Sequence, residues 1–142
     1  MPKYSRSNKG RLVEWRPAPD VRRRVNFLIN NLQLGWLSKN QIFCVRSAGT
    51  NTRAISRIWG LGRIWQITLK EKPSYIIEVI SERYDRLGEM EQDKVLLHEI
   101  AHIPKNFSGS LLPHIRRRGK RNFHSRVEDL VSQYLRISKI KQ

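Results

Sequence analysis

A single cysteine, Cys44, stands in 142 residues, so no disulfide can close within the chain. A lone thiol in an apolar segment reads as a small core residue of a strand rather than a ligand or nucleophile. Long apolar runs are missing as well: none approaches the roughly 20 residues that cross a bilayer. The cationic start Met1-Pro2-Lys3-Tyr4-Ser5-Arg6 has no apolar segment behind it of the kind a secretory leader needs. A cytoplasmic protein is therefore expected. Acids are scarce, 12 against 28 Lys and Arg, for a net charge of +16. Repeats and low-complexity tracts are absent. With 39% hydrophobic residues, the chain can bury one core but is short for two domains.

The charge is unevenly spread. Residues 1–70 carry +12, residues 71–99 carry −4, and residues 100–142 carry +8. Two basic flanks point to a polyanionic partner, DNA or RNA, gripped through phosphates and released by salt. The alternative is a generally cationic, solvated surface. The candidate contacts are Arg22, Arg23 and Arg24 in the first flank and Arg116, Arg117, Arg118, Lys120 and Arg121 in the second.

All four histidines fall between positions 98 and 124. Two lie in Val95-Leu96-Leu97-His98-Glu99-Ile100-Ala101-His102, an apolar run that reads as a buried helix. Residues at i and i+4 share a helix face, so His98 and His102 can both aim a ring nitrogen at one ion. Glu99 sits one residue round, able to hydrogen-bond water at that ion without ligating it. This is the His-Glu-x-x-His pattern of zinc peptidases, in which the carboxylate acts as general base. The alternatives are histidines satisfied by main-chain carbonyls, or a structural zinc clip.

Taken in order, residues 1–19 mix cations with Pro2, Gly10, Pro17 and Pro19 and predict an irregular basic arm, docked if at all by Trp15; residues 20–142 predict one domain. Asp20 is read as an N-cap, followed by a helix with the stripe Val21, Val25, Leu28, Ile29 and Leu32. Ile42–Val45 predicts a strand, and residues 47–51 a loop. Gly60 and Gly62 predict a turn between two extended segments, the second spanning Ile64–Leu69. Arg53, Arg57 and Arg63 interleave there with Trp59 and Trp65. That pattern suits either a platform for phosphate and base or a small sheet with tryptophan inside. Tyr75–Ile80 is a strand along whose edge an extended peptide could pair. Glu89, Glu91 and Asp93 favour the positive end of the next helix, which should stop near Ile103, before Pro104. A last helix is expected over 125–137.

Catalytic zinc keeps three protein ligands and an open position. His114 is the first candidate for the third ligand, because the loop containing Gly109 lets the chain swing back under the helix. His124 and Glu128 are the alternatives. Tyr84 and the Arg116–Arg118 run are candidates for stabilising an oxyanion.

The stretches Val45–Ser47, Arg57–Leu61, Tyr75–Asp85 and His98–Gly109, continuing to Pro113-His114, resemble the archaeal and phage metallopeptidases of the SprT-like (Spartan-type) zincin group. The resemblance covers about two-thirds of the chain. It implies a compact α+β zincin-like domain, with a small mixed sheet packed against an active-site helix and helices at both ends. It further implies Zn(II) on His98, His102 and a downstream histidine, Glu99 as base, and protein held on DNA as substrate. In that group glycine follows the third histidine, whereas Ile115 follows His114. Two rival readings are a non-catalytic nucleic-acid- or ribosome-binding protein with a structural zinc, and a small peptidase with no nucleic-acid role.

Overall fold

The computed structural model describes residues 12–114 and 123–140. Its elements in order are β1 (Glu14–Pro17), α1 (Pro19–Asn31), a 3-10 turn (Lys39–Gln41), β2 (Ile42–Ala48), β3 (Ser56–Gly60), α2 (Arg63–Leu69), β4 (Tyr75–Ile80), α3 (Ser81–Tyr84), α4 (Glu89–Ile100) and α5 (Phe123–Ile140). The fold is α+β. Among the described residues no helix is long and apolar enough to cross a membrane.

The sheet is mixed, in the order β1-β2-β4-β3, with β2 and β4 parallel and the other two pairs antiparallel. Tyr75–Ile80 is therefore an interior strand, not the edge expected. Its sequence carries the reason: Tyr75, Ile77, Glu78, Val79 and Ile80 are all buried, the near-continuous pattern of a strand covered by neighbours. The edge on that side is β3.

Residues expected to be irregular at 14–17 instead pair with β2, Trp15 opposite Ser47 and Pro17 opposite Val45. An edge strand tolerates Pro17 because its missing N–H need not serve the ladder. β2 also runs on through Ser47 and Ala48, into the segment where the sequence predicts a loop. Pro19 opens α1 at a position where its absent N–H costs nothing, and Asp20 falls in the first turn rather than at the cap. Its carboxylate accepts two hydrogen bonds from Arg46, at 2.9 and 3.0 Å. The predicted α1 stripe is buried as expected. Cys44 is buried on β2, and burial pushes its thiol up to about 11.

Ile64–Leu69 is helical, not extended. Strand propensity expresses fit to a half-buried pleated surface, and these side chains meet none: Ile64 is 74% and Ile67 65% exposed. Local hydrogen bonding decides instead. Gln66 N donates to Gly62 O, Gln66 Nε2 donates to Leu61 O and Ser108 O, and Lys70 ends the helix in the left-handed conformation.

The arginines of α1 also depart from a simple cationic face. Arg24 forms a bidentate pair with Asp93 of α4, both bonds 2.7 Å, and Tyr134 of α5 donates to the same carboxylate. Asp93 is fully buried, so it serves this three-helix tie rather than the helix dipole. Arg22 donates to Ile42 O and lies over the Phe43 ring; Arg23 is exposed. Removing one partner of a buried pair leaves the other charge uncompensated. Asp93→Ala should therefore cost about 3 kcal/mol of stability, read by urea unfolding. The candidates Arg116, Arg117, Arg118, Lys120 and Arg121 lie outside the described residues.

Candidate metal centre

Helix α4 is pinned to the core by Leu96, Leu97 and Ile100, all essentially inaccessible, and this fixes which way His98 and Glu99 point. Beyond Ile100 the helix tightens: His102 N donates to Glu99 O and Ile103 N to Ile100 O, three residues back, before Pro104 stops it. His102 thus lies one turn beyond His98, and the two rings sit 5.3 Å apart.

His114 is brought back by a loop with its own anchors. Tyr75 Oη donates to Ser110 O and accepts from Gly109 N, each at 2.8 Å. Gly109 has φ +96° and lies so close to Leu61 O that a Cβ would fall 2.3 Å from it, so only glycine fits. Leu112 N then donates to His102 O at 2.7 Å. The result is a cluster of His98, His102 and His114 whose ligand nitrogens all lie within 4.8 Å of one another.

The protonation pattern suits a cation. The Leu112 carbonyl, 2.6 Å from His102 Nδ1, can only accept, so the proton is on Nδ1 and the Nε2 lone pair is free. His98 Nε2 stands 3.2 Å from His114 Nε2. Two nitrogens on one tetrahedral zinc, with bonds of ~2.0–2.1 Å, would be about 3.3 Å apart. Burial pushes the His98 imidazole down to about 4, with its two neighbouring rings adding to the effect, and burial also lowers His102. Both shifts favour the neutral imidazole that a metal ligand must be. The three-nitrogen donor set fits Zn(II).

Glu99 is 5% exposed, with one oxygen 4.0 Å from His102 Nε2. Its other oxygen accepts a 2.5 Å hydrogen bond from Ser56 Oγ of β3. Burial raises the Glu99 carboxyl and the Ser56 hydroxyl offsets part of that rise. A cleft of about 590 Å³ opens over these groups, walled by β3 on one side and Leu111–His114 on the other.

His124 does not join the cluster. It pairs with Glu128 at 2.7 Å on the exposed face of α5, so neither alternative third ligand lies at the centre. Tyr84 is buried beneath the sheet beside Asp93, and burial pushes its phenol up to about 12; it is not in the cleft.

Two contributors escape sequence reading. Ser56 touches Glu99 across 43 positions. Phe123 stacks on His102, with ring centres 4.2 Å apart, and meets His98 and His114 edge-on. Phe123→Ala should loosen all three rings and weaken metal binding by about tenfold, the usual scale for groups that orient ligands. Competition with a chelating dye would read it.

A family model described as "Putative phage metallopeptidase" matches residues 13–137. A family of that kind implies a bound metal and a protein substrate. No curated protein and no solved structure is found to match the chain. With a match over nearly the whole length and three histidines gathered where such chemistry needs them, the chain belongs to this phage metallopeptidase family.

Proposed function

We propose that the chain is a zinc peptidase of the HExxH, SprT-like kind, with His98, His102 and His114 as ligands and Glu99 as general base. It works in the cytoplasm on protein bound or crosslinked to nucleic acid. The observation that carries the catalytic part is the convergence of three imidazole nitrogens beside a buried carboxylate, with a cleft above them. Zn(II), when bound, supplies Lewis acidity, making water a better acid and a carbonyl a better electrophile.

The chain's own groups do the rest. Leu112 O holds His102 in one tautomer. Ser56 holds one Glu99 oxygen, leaving the other toward the histidines. Glu99 takes a proton from the attacking water and returns it to the leaving amine. The raised pKa of its carboxyl brings it closer to that double task. Edge strand β3, paired among the described residues with β4 alone, offers its other side to an extended peptide along the cleft.

The non-catalytic alternative, a zinc closed by four histidines, is disfavoured by the His124–Glu128 pair on the helix surface. The nucleic-acid part rests on the charge distribution and on Arg22, Arg23 and the 116–121 run; Arg24 is already committed to Asp93. The test is cleavage of a protein crosslinked to single-stranded DNA. Chelation should abolish cleavage and stoichiometric zinc should restore it. Cleavage indifferent to chelation would overturn the reading.

A further inference from the structure

The core lies on one side of the sheet, where Ile42, Cys44, Tyr75, Ile77 and Val79 meet α1 and α4. Side chains alternate along a strand, so their neighbours face the other way. The register sets Phe43, Ile76 and Trp59 side by side across β2, β4 and β3 on that opposite face, with Trp15 toward its β1 edge. These are large apolar groups left in solvent: Trp15 is 61%, Trp59 52%, Phe43 44% and Ile76 39% exposed. Adjacent strands lie ~4.8 Å apart, so Phe43 and Trp59 stand about 10 Å apart with Ile76 between them.

Each of these two rings carries a guanidinium. Arg22 Cζ is 5.6 Å from the Phe43 ring centre and Arg57 Cζ is 5.5 Å from that of Trp59. The carboxylate of this face, Glu78, is buried beneath them. It accepts from Arg57 at 2.8 Å and from Trp59 Nε1 at 2.8 Å, which fixes the indole and hides the negative charge. Burial works to raise Glu78, but these donors hold it below the usual carboxylate range. Three of the four strands come from residues 1–70, which carry +12.

We infer that this outer sheet face binds single-stranded nucleic acid, its bases stacked on Phe43, Trp59 and Trp15 and its phosphates drawn to Arg22 and the surrounding cations. The charge argues for this occupant. A second copy of a +16 chain would bring like charge to the face, whereas a polyanion is attracted. The shape argues for single strands. A flat row of rings on a sheet offers stacking to splayed bases, while a duplex keeps its bases inside. Trp59 and Arg57 also line the metal cleft, so a strand held here runs beside the centre that would cut protein attached to it. The inference rests on the reading that the chain works on nucleic acid, and names the surface that does so.

The test uses the full chain with oligo(dT), oligo(U) and a duplex, each of about 15 nucleotides. Anisotropy and tryptophan fluorescence are followed from about 50 to 200 mM salt. Single strands should bind more tightly than the duplex, quench tryptophan, and weaken steeply with salt. Phe43→Ala and Trp15→Ala, both outside the cleft, should each lower affinity for single strands about tenfold. Circular dichroism and zinc content should be unchanged. If both variants bind like the parent, this surface is wrong although the nucleic-acid reading survives. If the parent binds no polymer at low salt, both fail. A concentration-dependent dimer dispersed by Phe43→Ala, with nucleic-acid affinity intact, gives the face to a second copy and overturns the inference.

Discussion

Glu99→Gln should keep its zinc and lose about 10²–10⁴-fold in kcat, the scale of one well-placed general base. The amide nearly matches the carboxylate in shape and can still accept the short Ser56 hydrogen bond through its oxygen. The site's architecture should therefore survive while proton transfer does not. Metal content by elemental analysis and single-turnover cleavage separate the two effects. A zinc-loaded Glu99→Gln enzyme that still cleaves would take the base role from this residue. Ser56→Ala should sit between parent and Glu99→Gln, because it removes only the group that orients the base.

His114→Ala should weaken zinc binding by more than the 10- to 100-fold typical of losing a group that merely orients a ligand. Two nitrogens from one helix turn would remain, and the open side of the cluster would widen. His124→Ala is the matching control. It breaks an exposed i,i+4 pair with Glu128, worth about 0.3–0.5 kcal/mol at most, and should leave zinc affinity untouched. Equal losses in both variants would mean that the centre draws on α5 as well.

The helical turn that carries the two histidines is legible in the sequence because its signal is local. His98, Glu99 and His102 lie within one helical turn, and the apolar residues around them state which face is buried. His114 is legible for a weaker reason: a Gly-containing loop between His102 and Pro113 has to reverse direction. What holds that loop is not legible. Tyr75, Gly109, Gln66 and Leu61 meet across 34 to 48 positions, and no local pattern announces such a meeting.

The misread segments fail for one shared reason, that propensity is outvoted by surroundings. Ile64–Leu69 has strand-like residues but no sheet edge to join, so capping at Gly62 makes it a helix. Glu14–Pro17 looks irregular from its proline, yet an edge position absorbs proline without loss. Arg24 looks like part of a cationic face because its partner Asp93 is 69 residues away. A separation of 43 positions likewise hides Ser56 from Glu99, although both bear directly on the proposed chemistry.

Three imidazoles holding one ion would leave it one open coordination position. X-ray absorption on the zinc-loaded protein measures this most directly. Three imidazole nitrogens at ~2.0–2.1 Å and one oxygen ligand that exchanges with solvent are expected. Four imidazole ligands, or no stoichiometric zinc at neutral pH, would rule out an open catalytic zinc at this centre.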